Sequence, residues 1–150
     1  MTPDMIGTNY HTVDSKGRMI VPTDLRDGLT SSFIMSPGTY GKCIYMHSQA
    51  EWVNYLDRIK HMDPQKLDIP WTLRFLRSSA MNCSIDSQGR TVIPEALRNK
   101  YKIGKNIVIV GAGERAEIWT QAEWESAGFS SDEAFEKMEN MMSGIHDCFI

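Results

Sequence analysis

Cysteine is scarce in this chain, and what there is stands far apart: Cys43, Cys83 and Cys148, an odd number. That argues against a disulfide framework and against a paired-cysteine zinc site, and leaves small buried or half-buried thiols in a reducing cytoplasm as the expectation. Long apolar runs are missing too. The longest, such as Ile107-Val108-Ile109-Val110, are strand-sized and far short of the roughly 20 residues a membrane span needs, so no membrane partner is expected. The opening MTPDMIGTNY has neither a basic start nor an apolar stretch, and no secretory signal is expected from it.

The residues of most enzyme sites are equally thin. His11, His47, His61 and His146 match no metal spacing such as H-E-x-x-H, and none recurs. The glycine-rich GAGER at 111–115 lacks both the phosphate-loop lysine and the dinucleotide fingerprint. No nucleophile–base pair can be nominated, so no catalytic residue, metal, cofactor or small-molecule substrate is expected. Nor is there a basic excess: the net charge is −3. That average hides an asymmetry, because residues 114–150 carry nine acids against Arg115 and Lys137. They are −7 together, and residues 1–113 are +4. A mildly basic body beside an acidic end is compatible with a local anion-binding face, and equally with an ordinary solvated surface.

What is present is repetition. The phrase DSKGRMIVP, Asp14 to Pro22, returns 72 residues later as DSQGRTVIP, Asp86 to Pro94. On the same offset Leu25 falls on Leu97, Arg26 on Arg98, and Gln49-Ala50-Glu51-Trp52 on Gln121-Ala122-Glu123-Trp124. The 150-residue chain, 41% hydrophobic and 23% charged, is thus two copies of one unit in a soluble globular protein. The expected organisation is repeat 1 over 8–51, a helical linker over 52–79, repeat 2 over 80–123, and an acidic helical segment over 124–150.

Each copy reads alike. A short strand enters Asp-Ser-x-Gly, whose Asp and Ser can bond nearby amides while Gly takes positive φ. A β-branched stretch follows, Met19-Ile20-Val21 or Thr91-Val92-Ile93, predicting a β-hairpin about the glycine turn. Proline then stops the strand and opens a two-turn helix, PTDLRDGL or PEALRNKY, too short to stand unless packed through Leu25 or Leu97. Next come two strand pairs, 32–35 with 43–46 and 106–110 with 116–119, each joined by a glycine-bearing loop. Both copies close on a capping box, Ser48-x-x-Glu51 and Thr120-x-x-Glu123. Trp52, Val53, Leu56, Ile59 and Met62 recur at helical spacing until Asp63-Pro64 interrupts, and Pro70 marks a further boundary. Towards the C-terminus Phe135, Met138 and Met142 share a face of a predicted helix. One unit of about 45 residues buries too little to fold alone. Two can close on each other's open sheet edges. The expected fold is a mixed, β-rich α+β structure: two tandem units forming a pseudo-twofold, swapped-hairpin-like β-barrel with short helices and a C-terminal helix.

The doubled D-x-x-x-R phrase, Asp14 to Arg18 and Asp86 to Arg90, resembles the MraZ family of bacterial transcriptional regulators. Gly7, the VP and IP after each arginine, and the Glu-Trp helix starts extend the likeness from about Met5 to Trp124. The resemblance implies two SpoVT-AbrB-type units packed as one barrel, subunits assembled into rings, and binding to closely spaced direct repeats in promoter DNA. The target it implies is the operon for division and cell-wall synthesis, usually the regulator's own gene included, and the place is the cytoplasm, on the nucleoid. Three departures stand out: Ser79 where the first copy has Gly7, Pro70 in the linker, and Gln88 in place of Lys16.

On that resemblance Arg18 and Arg90 are the candidate DNA readers, since a guanidinium fork spans two acceptors on a phosphate or on the edge of guanine. The competing structural role is an ion pair across the turn, Asp14 with Arg18 and Asp86 with Arg90. Asp14, Gly17, Asp86 and Gly89 are read as turn-shaping, and the two roles are compatible if the carboxylate aims the arginine. Lys16 is a candidate phosphate contact, as are Arg26 and Arg98 against the alternative of packing their stems over Leu25 and Leu97. Arg74, Arg77, Lys100, Lys102 and Lys105 add charge only, and Trp52 and Trp124 are expected to be core or interface anchors. A different class remains open: a ring-forming, antitoxin-like protein-interaction module without direct DNA readout, which the acidic end would suit.

Overall fold

In a computed structural model, which describes residues 2–145, each repeat keeps one strand pair of its own and gives its other strands to partners in the opposite repeat. Met1 and residues 146–150, including His146 and Cys148, lie outside the described residues. The order of elements is β1 (Thr8–Thr12), β2 (Arg18–Ile20), α1 (Thr23–Leu29), β3 (Ser32–Pro37), β4 (Ile44–Ser48), α2 (Gln49–Lys60) and α3 (Ile69–Ser79). Then follow β5 (Met81–Ser84), β6 (Arg90–Val92), α4 (Glu95–Lys100), β7 (Asn106–Gly111), β8 (Ala116–Thr120), α5 (Gln121–Ala127) and α6 (Asp132–Ser143). Six strands form one antiparallel sheet, β1-β7-β8-β4-β3-β5, and β2 pairs with β6 in a separate antiparallel ribbon.

This corrects the hairpin expectation. The turn between β1 and β2 forms, with Asp14 N–H donating to the Arg18 carbonyl at 2.9 Å, but the two strands build no ladder together. β1 goes to β7 and β5 to β3, each in the other repeat, while β2 and β6 meet each other. The expected exchange between units is thereby complete: each repeat's first strand closes the edge of the other's sheet.

The register reveals a pseudo-twofold axis. On the 72-residue offset Met19 is the counterpart of Thr91, and these two face each other in the ribbon. Tyr45 is the counterpart of Glu117, and they too are direct partners, across β4 and β8 at the sheet's centre. The axis therefore passes through both pairs.

Side chains alternate across a sheet buried on both faces, which is why its strands read as nearly continuous apolar runs. Phe33, Met35, Ile44, Met46, Ile107, Ile109 and Ile118 point inward, where Met19 of the ribbon and Leu25, Leu29 and Leu97 of the short helices close over them. Two-turn α1 and α4 are held by that packing, with no side-chain cap on either. On the opposite face Tyr45, Val108 and Trp119 meet Tyr55, Leu56 and Ile59 of α2, Leu76 of α3 and Trp124 of α5.

Half of each capping box is present: Ser48 Oγ accepts from Glu51 N–H at 3.1 Å and Thr120 Oγ1 from Glu123 N–H at 3.2 Å. The Glu51 carboxylate accepts from Asn54 Nδ2 instead of reaching back. Val53 and Met62, expected on the packed face of α2, are exposed, and Tyr55 takes the buried position. Pro70 lies in the first turn of α3, where its missing N–H costs nothing, so it starts a helix. Burial raises the Cys43 thiol to about 12, helped by the Glu117 charge, and raises Cys83 to about 11, so both are poor nucleophiles. Burial, with Arg115 and Arg58 nearby, pushes His47 down to about 3; its ring stays neutral, stacked on Tyr55 at 4.7 Å.

The glycines of GAGER have local reasons, close packing at Gly111 and a left-handed φ of 83° at Gly113. A Cβ on Gly111 would stand 2.4 Å from the Ile6 nitrogen, because the N-terminal segment crosses there and Met5 pairs with Gly113. This loop makes room for backbone, which accounts for its composition without a phosphate.

Candidate nucleic-acid interface

The two D-x-x-x-R phrases fold into the same device. Asp14 Oδ1 accepts from the Lys16 and Arg18 amides, both at 2.9 Å, and Oδ2 accepts from Arg18 Nε at 2.7 Å. Asp86 repeats this, with the Gln88 amide at 2.8 Å, the Arg90 amide at 2.9 Å and Arg90 Nε at 3.1 Å. One carboxylate thus shapes the turn and orients the arginine. The backbone bond from Arg18, with the Lys16 amide and the guanidinium adding to it, lowers Asp14 to about 2, and the same causes, led by the Arg90 amide, lower Asp86. Both stay ionised at any ordinary pH. Nε being committed, the Nη groups of Arg18 and Arg90 make no protein hydrogen bond among the described residues.

The turns are braced from the opposite repeat. Gly17 carbonyl accepts from Ile93 N–H at 2.8 Å, and Gly89 carbonyl from Val21 N–H at 2.9 Å. Arg98 donates through Nε to the Ile93 carbonyl at 2.8 Å and Arg26 to the Val21 carbonyl at 3.0 Å. Their guanidinium groups then lie against the glycine of the other copy's turn. A Cβ on Gly17 would be 2.6 Å from Arg98 Cζ, and one on Gly89 would be 2.2 Å from Arg26 Nη2. Both glycines have φ near +80°, at 79° and 78°. Arg26 and Arg98, read from the sequence as phosphate contacts or stems over leucine, are therefore clamps whose reach across the repeats no local pattern encodes. Gly17→Ala is expected to cost about 2 kcal/mol, from the left-handed φ and the collision with Arg98 together. Thermal melting checks this, and a loss under about 0.5 kcal/mol would remove the clamp from the account.

The ribbon these turns support is short and two-faced. Arg18 faces Val92, Met19 faces Thr91 and Ile20 faces Arg90. Met19 and Thr91 are buried; Arg18, Ile20, Arg90 and Val92 form the outward side. The pseudo-twofold axis thus sets the two arginines at diagonal corners of one surface. Exposed Lys16 tips the first turn and neutral Gln88 the second, so the surface is symmetric in shape but not in charge. Nothing else among the described residues rivals it chemically: no group of three or more metal-ligating side chains occurs there, and no helix is long and apolar enough to cross a membrane.

A doubled β-unit with crossed strand pairing, offering paired arginines from two matching turns, defines a class of tandem-repeat β-rich proteins. The profile of the family described as "MraZ protein, putative antitoxin-like" matches residues 5–69 and 76–144, and the chain belongs to that family. It is similar to the protein named Transcriptional regulator MraZ from Caldanaerobacter subterraneus subsp. tengcongensis, 36% identical over 95% of this chain and 99% of that one. The proteins of the same name from Desulforamulus reducens and Ligilactobacillus salivarius are 36% and 37% identical, each over 91% of this chain and 96% of theirs.

Proposed function

We propose that this chain is a sequence-specific DNA-binding transcriptional regulator, acting as a multimer on direct repeats in promoter DNA, with the division and cell-wall operon containing its own gene as the target. The observation that carries this reading is the outward ribbon face, where two aspartate-held, partly exposed guanidinium groups keep Nη atoms that make no protein hydrogen bond among the described residues. A two-stranded ribbon fits the major groove, and a bidentate guanidinium matches the O6 and N7 of guanine. In this reading Arg18 and Arg90 contact bases, Lys16 contacts phosphate from the turn tip, and Arg26 and Arg98 add charge from behind the turns they brace. The relatives' shared name, Transcriptional regulator MraZ, supports it.

The test is selection of a randomised duplex library on the purified full chain. One motif recurring at fixed spacing is expected to be enriched. With Lys16, Arg26 and Arg98 neutralising about three phosphates per subunit, affinity should fall roughly fortyfold between about 50 and 200 mM salt. A chain that enriches no sequence and shows no salt dependence is a protein-interaction module and not a DNA reader.

A few contacts per subunit give weak binding, and side-by-side copies would supply avidity. Two exposed faces support assembly. On α3 Trp71 and Phe75 stack at 5.4 Å beside Arg74 and Arg77, neither of which has an ion-pair partner among the described residues. On α6 Phe135, Met138 and Met142 lie exposed among Glu133, Glu136 and Glu139. The faces are complementary in charge and both carry apolar surface, so α3 of one copy against α6 of the next would make a head-to-tail contact, the kind from which rings are built when the rotation between copies closes. Sedimentation of the wild type should then give a mass well above 17.1 kDa. Arg74→Glu with Arg77→Glu should give monomer, and adding Glu136→Arg with Glu139→Arg should restore the assembly. A monomeric wild type removes the multimer, and an undisturbed charge variant removes this interface.

A further inference from the structure

The ribbon face holds more than its arginines. Between them, at the other two outward positions, stand Ile20 and Val92, 42% and 51% exposed. They occupy equivalent places in the two repeats, and each faces the other copy's arginine: Ile20 opposite Arg90, Val92 opposite Arg18. The core does not use them, since the inward positions of the same strands, Met19 and Thr91, already fill it. A β-branched residue suits any strand. Here, though, two of them stand in the open on a surface otherwise made of guanidinium groups, beside two turns braced from the opposite repeat.

In the DNA major groove the one apolar feature of the base edges is the 5-methyl group of thymine. A side chain adjoining a guanine-reading arginine, on the same face of a ribbon inside the groove, meets the neighbouring base edge. Strands about 4.8 Å apart, with outward residues about 7 Å apart along each, keep all four outward side chains within a few base steps. We propose that Ile20 and Val92 are specificity-determining residues that contact thymine 5-methyl groups, so that each subunit reads thymine next to guanine on both sides of its pseudo-twofold axis. The inference rests on the proposed DNA reading and extends it from the arginines to the bases beside them.

The probe is the duplex that a randomised library yields on selection with the full chain, remade with uracil replacing each enriched thymine in turn. Uracil keeps the pairing edge and O4 and lacks only the methyl group. Wild-type protein is expected to bind the uracil duplex about fourfold more weakly at one thymine or more, the effect of one buried carbon. The Ile20→Ala, Val92→Ala double variant is expected to bind thymine and uracil duplexes equally, while still preferring the selected sequence over random DNA through Arg18 and Arg90. Equal wild-type binding to thymine and uracil duplexes, or discrimination that survives in the double variant, overturns the inference and leaves the DNA reading intact. Failure of the library to enrich any sequence overturns both. If the double variant does not fold, the uracil series on wild-type protein decides alone.

Discussion

Replacing both Arg18 and Arg90 with alanine is expected to weaken binding to the selected duplex on the order of a thousandfold per subunit, and to abolish its retardation in a gel. Each bidentate guanidinium–guanine contact accounts for roughly 1–3 kcal/mol of discrimination, and two are lost together. Because the wild type is proposed to bind through several subunits at once, the loss should multiply in the assembly. Stability should change little. The turn keeps its backbone bonds from Asp14 and Asp86 to the amides of residues 16, 18, 88 and 90, and the ion pairs removed are solvent-exposed ones. A melting temperature close to wild type, with binding gone, is the expected pair of results. Arg18→Lys with Arg90→Lys sharpens the test. It keeps the charge but not the fork, so weak salt-sensitive binding should persist while preference for the selected sequence fades. A double alanine variant that binds as well as wild type would take these arginines out of the mechanism.

The second large effect is expected far from the ribbon, at the other end of the pseudo-twofold axis. Glu117, 8% exposed, accepts from Arg115 Nε at 3.0 Å, from Arg115 Nη2 at 2.9 Å and from Trp119 Nε1 at 3.0 Å. Arg115 also lies 3.9 Å over the Tyr45 ring, so one carboxylate fixes a guanidinium, an indole and a phenol at the centre of the sheet's outer face. Glu117→Ala would leave the guanidinium and indole donors without their acceptor under α2 and α5. We expect a loss of about 3 kcal/mol, at the low end for a broken buried pair because Arg115 keeps some contact with water. Urea unfolding should show this, as should a melting temperature lower by about 6–12 °C for a chain of this size. Glu117→Gln, which keeps an acceptor for Trp119, should lose less. A loss under about 1 kcal/mol for the alanine variant would mean that this network does not hold the outer face together. DNA binding well below the melting temperature should be unaffected, which separates this position from Arg18 and Arg90.

The two axial pairs show why a tandem protein differs from a dimer of one unit. In a symmetric dimer the residues on the axis face their own copies, so a glutamate there would face a glutamate. Covalent duplication frees Tyr45 from being Glu117 and Met19 from being Thr91. The same freedom lets Lys16 and Gln88 differ at the turn tips. On the proposed reading that difference gives a pseudo-symmetric face a direction, as binding to direct repeats requires.

By itself the sequence determined whatever is decided within about ten residues. The duplication shows as identity at one offset. The turns show because Asp-Ser-x-Gly-Arg satisfies its own amides, and the helix starts show because Ser48 and Thr120 cap locally. The Asp–Arg pairs were legible for the same reason, four residues apart in the chain. The pairs β3–β4 and β7–β8, each joined by a short loop, were legible too. Only the tertiary structure decided the partners of β1, β2, β5 and β6, since a backbone ladder carries no label for its partner and β2 could have paired with β1 as well as with β6. It alone laid Arg98 on Gly17 and Arg26 on Gly89, contacts between repeats that no periodicity announces. It also turned Val53 and Met62 to solvent while drawing Tyr55 in, because the helix could be rotated onto the sheet only as the aromatic packing around His47 allowed. And it gathered Arg18, Ile20, Arg90 and Val92, from two halves of the chain, onto one face.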